Sequence, residues 1–384
     1  MDTDTATHRR RGRQWSGLRE AASASWLPWL TGRAIVLAAL ALAKYEVSHL
    51  DIRSAKAIAD AHAGLWGWDA GWYSELAAHG YHAVGTQGLR FFPLFPAVAG
   101  VVHRVTFLPV DAVTGLISNA SALAATMALY LLAKAELGGA APARSAAWLL
   151  NLVPAAFVMV MGYSDSLMIL LSVTCFASLR HQRWLLAASL GFLAGAARPI
   201  GCLLLVPALW EALVGIRGTA LAQRVSRAVA VLAPVAGLVA YLGYAGVEFG
   251  SFTRPLTLQT DSSHHGGLTD PAVTLYHDAF SLLRGHHVGT GLHLPWVLVA
   301  VVLVVVVFRT LPVSYGLYSA AVVVVAASGS NLDSFERYAL SAFPLLLGAA
   351  TLMRSRRVET TVLVLGAATM FGYALLAFLG AYVP

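Results

Sequence analysis

The sequence predicts an all-α protein, a polytopic transmembrane helical bundle of about eleven spans. Apolar residues fill 58% of its 384 positions and charged residues only 12%, about half the charged fraction of a soluble domain. The apolar residues come in long runs and do not alternate with polar ones, as membrane-barrel strands must. Several runs approach the roughly 20 residues that a helix needs to cross a bilayer.

Residues 1–32 read as a basic cytoplasmic tail, with HRRRGR at 8–13 and a disordered stretch to about residue 25. No small-residue cleavage site follows, so the first apolar run is a retained span. Cutting the remaining chain, 33–384, at its apolar runs gives one domain with spans near 33–50, 109–133, 145–162, 166–179, 184–197, 200–214, 228–247, 295–308, 313–328, 338–353 and 358–380. The segments 184–197 and 295–308 are short, which implies tilt, extension by their flanks, or partial re-entry. Cys175 and Cys202 lie inside apolar runs and read as small buried hydrophobes.

Residues 91–107 decide the topology. As a full span they would put RSRR (354–357) outside together with RHQR (180–183). As a helix in the outer interface they leave the tail, Arg33, Lys134, Arg144, Arg180, Arg227, Arg309 and Arg357 inside, as the positive-inside rule favours. Pro93, Pro96, His103 and Arg104 also suit an interfacial segment. The N-terminus is then cytoplasmic, and most acids and histidines fall on the outer side with the long loops 51–108 and 248–294. Any chemistry is expected there.

Four outer patches carry candidate groups. In WDAGWYSELAAHGY (68–81), helical spacing places Asp69, Trp72 and Tyr73 on one face and pairs Glu75 with His79. Its tryptophans and tyrosines would serve equally as an aromatic belt, but a belt needs no acid. A carboxylate among Trp66, Trp68 and Trp72 is either desolvated, which raises its pKa and suits a general base, or paired with a cation. YSDS (163–166) offers Tyr163 and Asp165, with turn and helix-cap chemistry as the plainer alternative. ARPIG (197–201) sets Arg198 at a hairpin apex between apolar flanks, where it either snorkels or meets an anion such as a phosphate. DSFERY (333–338) adds Glu336 and a second anion-binding candidate, Arg337, against a simple interfacial ion pair.

Histidines in SSHHGG (262–267), YHD (276–278) and GHH (285–287) raise a metal site, but no HxxxH or HExxH spacing accompanies them. No metal or other cofactor is therefore assigned. Walker, dinucleotide and nucleophile-elbow motifs are missing from the sequence. No nucleic-acid partner is expected.

WDAGWY, AAHGY, FFPLFP, YSDS, ARPIG and ERYAL, in this order between about residues 64 and 344, resemble the PIG-V-like mannosyltransferases. These are bacterial relatives of GPI mannosyltransferase II within the GT-C group of polytopic glycosyltransferases. The resemblance implies inverting transfer of a sugar, mannose by family, from a polyprenyl-phosphate donor to a glycolipid or other acceptor on the outer face of a bacterial plasma membrane. It maps the catalytic acid onto Asp69, beside Trp68. Eukaryotic members have YSES-like residues where this chain has Asp165, a shorter acid. Elementary chemistry fits the same scheme: Asp69 as base, Arg198 and Arg337 for the departing phosphate, and Trp68, Trp72, Tyr73, Tyr163, Asp165 and Glu336 as substrate contacts. Membrane lipids would surround the bundle. The alternatives are a flippase, with charges spread toward the bilayer midplane and repeated broken helices, and a non-catalytic glycolipid-binding subunit.

Overall fold

The computed structural model describes residues 3–50, 54–260, 266–284 and 292–383, the side chains of residues 3–15 excepted. A long α1 (Thr3–His49) leads into α2 (Ala55–Ala63), α3 (Asp69–Val84), α4 (Leu94–Thr106), α5 (Val110–Glu136) and α6 (Ala140–Leu152). Then come α7 (Asp165–Arg180), α8 (Trp184–Ala197), α9 (Leu205–Leu213), α10 (Leu221–Phe249), the single turn α11 (Arg254–Thr257) and α12 (Pro271–Leu283). The chain ends with α13 (Leu294–Thr310), α14 (Val313–Ala326), α15 (Phe335–Leu340), α16 (Pro344–Leu352) and α17 (Arg356–Phe378). Among the described residues, the extended structure is one isolated bridge between Leu268 and Gly329.

The all-helical class holds, and among the described residues four helices are singly long and apolar enough to cross a membrane, Ser16–His49 within α1, Val110–Glu136, Leu221–Phe249 and Arg356–Phe378, which does not confirm the expected eleven spans. Proline interrupts three of the remaining segments, because it lacks the N–H that continues a helix and clashes with the preceding turn. The expected span 145–162 breaks at Pro154 into α6 and the 3₁₀ turn Pro154–Met159. The span expected at 200–214 opens as the 3₁₀ turn Pro199–Leu204, and the one at 338–353 breaks ahead of Pro344. Segment 91–107 becomes α4, whose 13 residues reach about 20 Å, short of a full crossing.

The N-terminal expectation is also corrected. Residues taken as a disordered tail continue α1, and they are pinned to α5: Ala21 and Ser25 are fully buried, and Glu20 meets Lys134 at 2.6 Å. Arg33 therefore lies in the middle of a long helix. Its guanidinium is buried and donates to Asn119 Oδ1 at 2.9 Å, Asn151 Oδ1 at 3.0 Å and the Met159 carbonyl at 3.1 Å. Neutral oxygens thus solvate this cation and tie α1, α5 and α6 to the 3₁₀ turn that leads toward Tyr163.

Small residues bring α8 and α10 together. A Cβ at Gly195 would overlap the Pro234 carbonyl oxygen, and one at Gly237 would overlap that of Phe192. Glycine is the residue that permits such close backbone approach, as in small-xxx-small helix crossings. At the end of α8 the chain turns back so tightly that a Cβ at Gly201 would overlap the Ala194 carbonyl oxygen. This clamp fixes the backbone around Arg198.

Candidate active site

Two of the four non-glycine residues with left-handed φ among the described residues, Trp68 (φ 55°) and Ser334 (φ 61°), stand immediately before α3 and α15. Such backbone costs about 1–3 kcal/mol each and persists only where the surroundings hold it. At Trp68 the hold is visible: its indole N–H donates to the Ala377 carbonyl at 3.1 Å and the Lys56 ammonium lies 4.8 Å over its ring. The result is that α3 presents Asp69 at its first residue, and α15 carries Arg337 in its short span. The N–H of Asp69 donates to the Tyr163 hydroxyl at 3.2 Å, which anchors the start of α3 to the turn before α7.

The four outer patches meet around a cavity of about 500 Å³ lined by Trp68, Asp69, Tyr73, Arg198, Asp333 and Arg337, among others. Arg337 Nη1 lies 2.6 Å from Asp69 Oδ2, while its Nε and Nη2 each lie 3.1 Å from Asp165 Oδ2. Arg198 Nη1 makes a close ion pair with Asp165 Oδ1. Two carboxylates thus alternate with two guanidiniums, and Asp165, 2% exposed, is the buried link between them. Burying so much charge costs several kcal/mol per ion unless each ion is paired and hydrogen-bonded, as these are. The rings add to the pairing: the guanidinium of Arg337 lies 4.5 Å over Tyr163 and that of Arg198 lies 5.3 Å over Tyr338. Tyr73 shares a 2.6 Å hydrogen bond with Ser164 Oγ, and burial pushes its phenol up to about 12, so it stays protonated.

Several expected roles change. Asp165 begins α7, but its carboxylate serves the arginines and does not cap the helix. The three guanidinium nitrogens of Arg337, expected to meet a phosphate, all face aspartates, so it organises carboxylates here. Glu336, expected as a substrate contact, turns away from the cavity because adjacent helical positions point about 100° apart. It is buried against His293 at 2.6 Å and the Tyr382 hydroxyl at 2.9 Å.

Trp72 parts from Asp69 as well. It stacks on Phe91 at 5.7 Å with the Arg90 guanidinium 5.3 Å over it, and lines a separate groove with Trp68, Glu75 and His79. The pairing of Glu75 with His79 occurs as helical spacing requires, at 3.8 Å and largely exposed. Asp69 resolves the choice between desolvation and pairing in favour of a cation; its side chain is 26% exposed.

His293 and Asp333 were not singled out from sequence. Asp333 was visible as the first letter of DSFERY, whereas a lone histidine in LHLPW carries no local signal. Of the histidines considered for a metal, His264, His265, His286 and His287 lie outside the described residues. Among the described residues no three His, Cys, Asp or Glu side chains cluster as metal ligands would.

No family model and no curated protein matches the chain. Similar solved structures include the Archaeoglobus fulgidus oligosaccharyltransferase in complex with Zn and sulfate, at 14% identity and TM-score 0.42, covering 77% of this chain and 45% of that one. Another is the archaeal oligosaccharyltransferase AglB from the same organism with an inhibitory peptide and a dolichol-phosphate, at 12% identity and TM-score 0.43, covering 94% and 57%. The chain spans about half the length of these structures. At such identity and score the likeness transfers no chemistry.

Proposed function

We propose that the chain is an inverting glycosyltransferase of GT-C type that moves a sugar, mannose by the resemblance of its motifs, from a polyprenyl phosphate to an acceptor on the extracytoplasmic face of a bacterial membrane. The observation that carries this reading is the side-by-side placement, in one cavity, of a partly exposed carboxylate and a guanidinium: Asp69, pinned by Arg337, and Arg198, backed by Asp165.

Arg337 engages Asp69 Oδ2, which leaves Oδ1 to take the proton of an acceptor hydroxyl. As that O–H bond breaks, the acceptor oxygen forms a bond to the anomeric carbon, and the bond from that carbon to the phosphate oxygen breaks on the opposite side. The electron pair leaves with the phosphate. Arg198 uses one nitrogen on Asp165 and lines the cavity, where its remaining N–H groups would meet the charge that develops on the leaving group. Arg337 acts through Asp69 by holding its orientation. Trp68 and Tyr73 supply aromatic wall for a pyranose. The reaction so drawn calls for no cofactor.

The distribution of charge speaks for transfer over transport. At the far end of α7, Arg180 pairs with Glu136 at 2.8 Å and Glu211 at 3.3 Å, roughly 22 Å from Asp165 along the helix. The charge-rich groups on α7 thus sit at its two ends, and a polar cavity sits at one of them. The test is transfer of labelled sugar from polyprenyl-phosphate mannose to extracted cell lipids by the purified protein. A labelled glycolipid supports the reading; movement of donor across vesicles without product would mark a flippase.

A further inference from the structure

The cavity holds a carboxylate that the scheme above leaves idle. Asp333 lines it with a side chain 30% exposed. Asp69 and Asp165 are held by guanidiniums, whereas Asp333 faces an imidazole: His293 Nε2 lies 3.8 Å from Asp333 Oδ1. His293 is itself 1% exposed, and its Nδ1 lies 2.6 Å from Glu336 Oε2, which also accepts from the Tyr382 hydroxyl at 2.9 Å. The Tyr382 ring packs beside the imidazole at 5.2 Å.

The 2.6 Å contact between Nδ1 and Glu336 Oε2 fixes the imidazole ring and turns its other nitrogen, Nε2, toward Asp333. The backbone helps too, because the N–H of Asp333 donates to Asn331 Oδ1 at 3.2 Å and the next residue, Ser334, is in the left-handed conformation. The carboxyl group of Asp333 is therefore held in place on the wall of the cavity.

What such a group recognises follows from the ligand chemistry, and here the inference rests on the glycosyl-transfer reading. A sugar differs from a plain alkyl phosphate in its row of hydroxyl donors. A carboxylate has two oxygens spaced to accept from two neighbouring hydroxyls, and charge-assisted hydrogen bonds are the strong ones. We propose that Asp333 recognises the donor sugar by accepting hydrogen bonds from two adjacent pyranose hydroxyls, and that His293, held by Glu336 and Tyr382, is its positioning residue.

The experiment compares donor kinetics of the full-length protein in detergent with polyprenyl-phosphate mannose and its singly deoxygenated forms. For wild type, removing a contacted hydroxyl should lower kcat/KM by about tenfold or more, since a polar site left unpaired discriminates strongly. In Asp333→Asn the intact donor should lose a similar factor, mainly through KM, and the deoxygenated donors should lose little further. Asp333→Glu, which keeps the charge but moves the oxygens, should change which hydroxyl matters. His293→Asn retains a donor toward Glu336 but none toward Asp333, and should reproduce the KM effect with a smaller change in kcat. If Asp333→Asn does not fold, the glutamate and His293 variants carry the comparison. Variants that keep the wild-type ranking of deoxygenated donors overturn the proposal. If wild type makes no product from any donor, the transfer reading itself falls, and this inference with it.

Discussion

Arg337 bridges Asp69 and Asp165, two residues 96 positions apart in sequence, with 2.6 Å to the first and 3.1 Å to the second. A planar guanidinium can present separate edges to two carboxylates; an ammonium cannot. Arg337→Lys is therefore expected to lose both transfer and thermal stability. Arg198, with one nitrogen on Asp165, has less to hold. Arg198→Lys should stay folded and raise donor KM by about tenfold, which corresponds to about 1.4 kcal/mol. Kinetics and melting curves of the two variants, measured side by side, check the distinction, and equal behaviour would contradict it.

Asp165 should behave as a structural acid. It is buried between two buried arginines, and removing one partner of a buried ion pair costs about 3–5 kcal/mol. Asp165→Asn is expected to lower the melting temperature in detergent far more than Asp69→Asn does. A variant with wild-type stability would show that solvent or another group balances the arginines.

The end of α8 gives a prediction remote from the chemistry. Gly195→Ala drives a methyl group into the Pro234 carbonyl, and backbone cannot yield as a flexible side chain can. Overpacking of this kind costs about 1–3 kcal/mol. Reduced yield and a lower melting temperature are expected, with donor KM raised in whatever protein folds, because Arg198 follows directly. An unchanged melting temperature would mean that the α8–α10 crossing is looser than described.

Burial lifts the pKa of Asp333 above the ordinary carboxylate range; His293 opposes the shift and Glu336 adds to it. A carboxyl whose native pKa is raised contributes stability that is present below its unfolded value, about 3.9, and is lost as pH climbs through the native value. Asp333→Asn cannot ionise. Its stability relative to wild type should therefore improve between about pH 4 and pH 7, read from melting temperatures across that range. A constant difference would place Asp333 in a solvated setting.

Much of the site was legible in the sequence because charge is conspicuous in an apolar chain. The patches around Asp69, Asp165, Arg198 and Arg337 stood out for that reason, and ion pairs join all four in the structure. What local pattern could not show was pairing. Arg337 reads as a free cation until Asp69 and Asp165 are brought to it, and Glu336 reads as its equal until the helix turns the two apart. His293 sits alone in its own segment, 43 residues from Glu336, so its role appears only in three dimensions. Composition gave the helical class but not the breaks within its expected spans, because hydropathy counts Pro154, Pro199 and Pro344 as mild residues while the backbone treats them as breaks.

The central claim is that Asp69 takes the proton in a sugar transfer from a polyprenyl phosphate. It is tested most directly by incubating purified wild type and Asp69→Asn with labelled polyprenyl-phosphate mannose and extracted cell lipids. The amide keeps the shape of the acid but cannot accept the proton. Labelled glycolipid from wild type, with a rate at least about a thousandfold lower in a folded Asp69→Asn protein, is the expected result, within the upper range for general-base catalysis. Equal product from both proteins would contradict the assignment of the base, and no product from either would contradict the reaction.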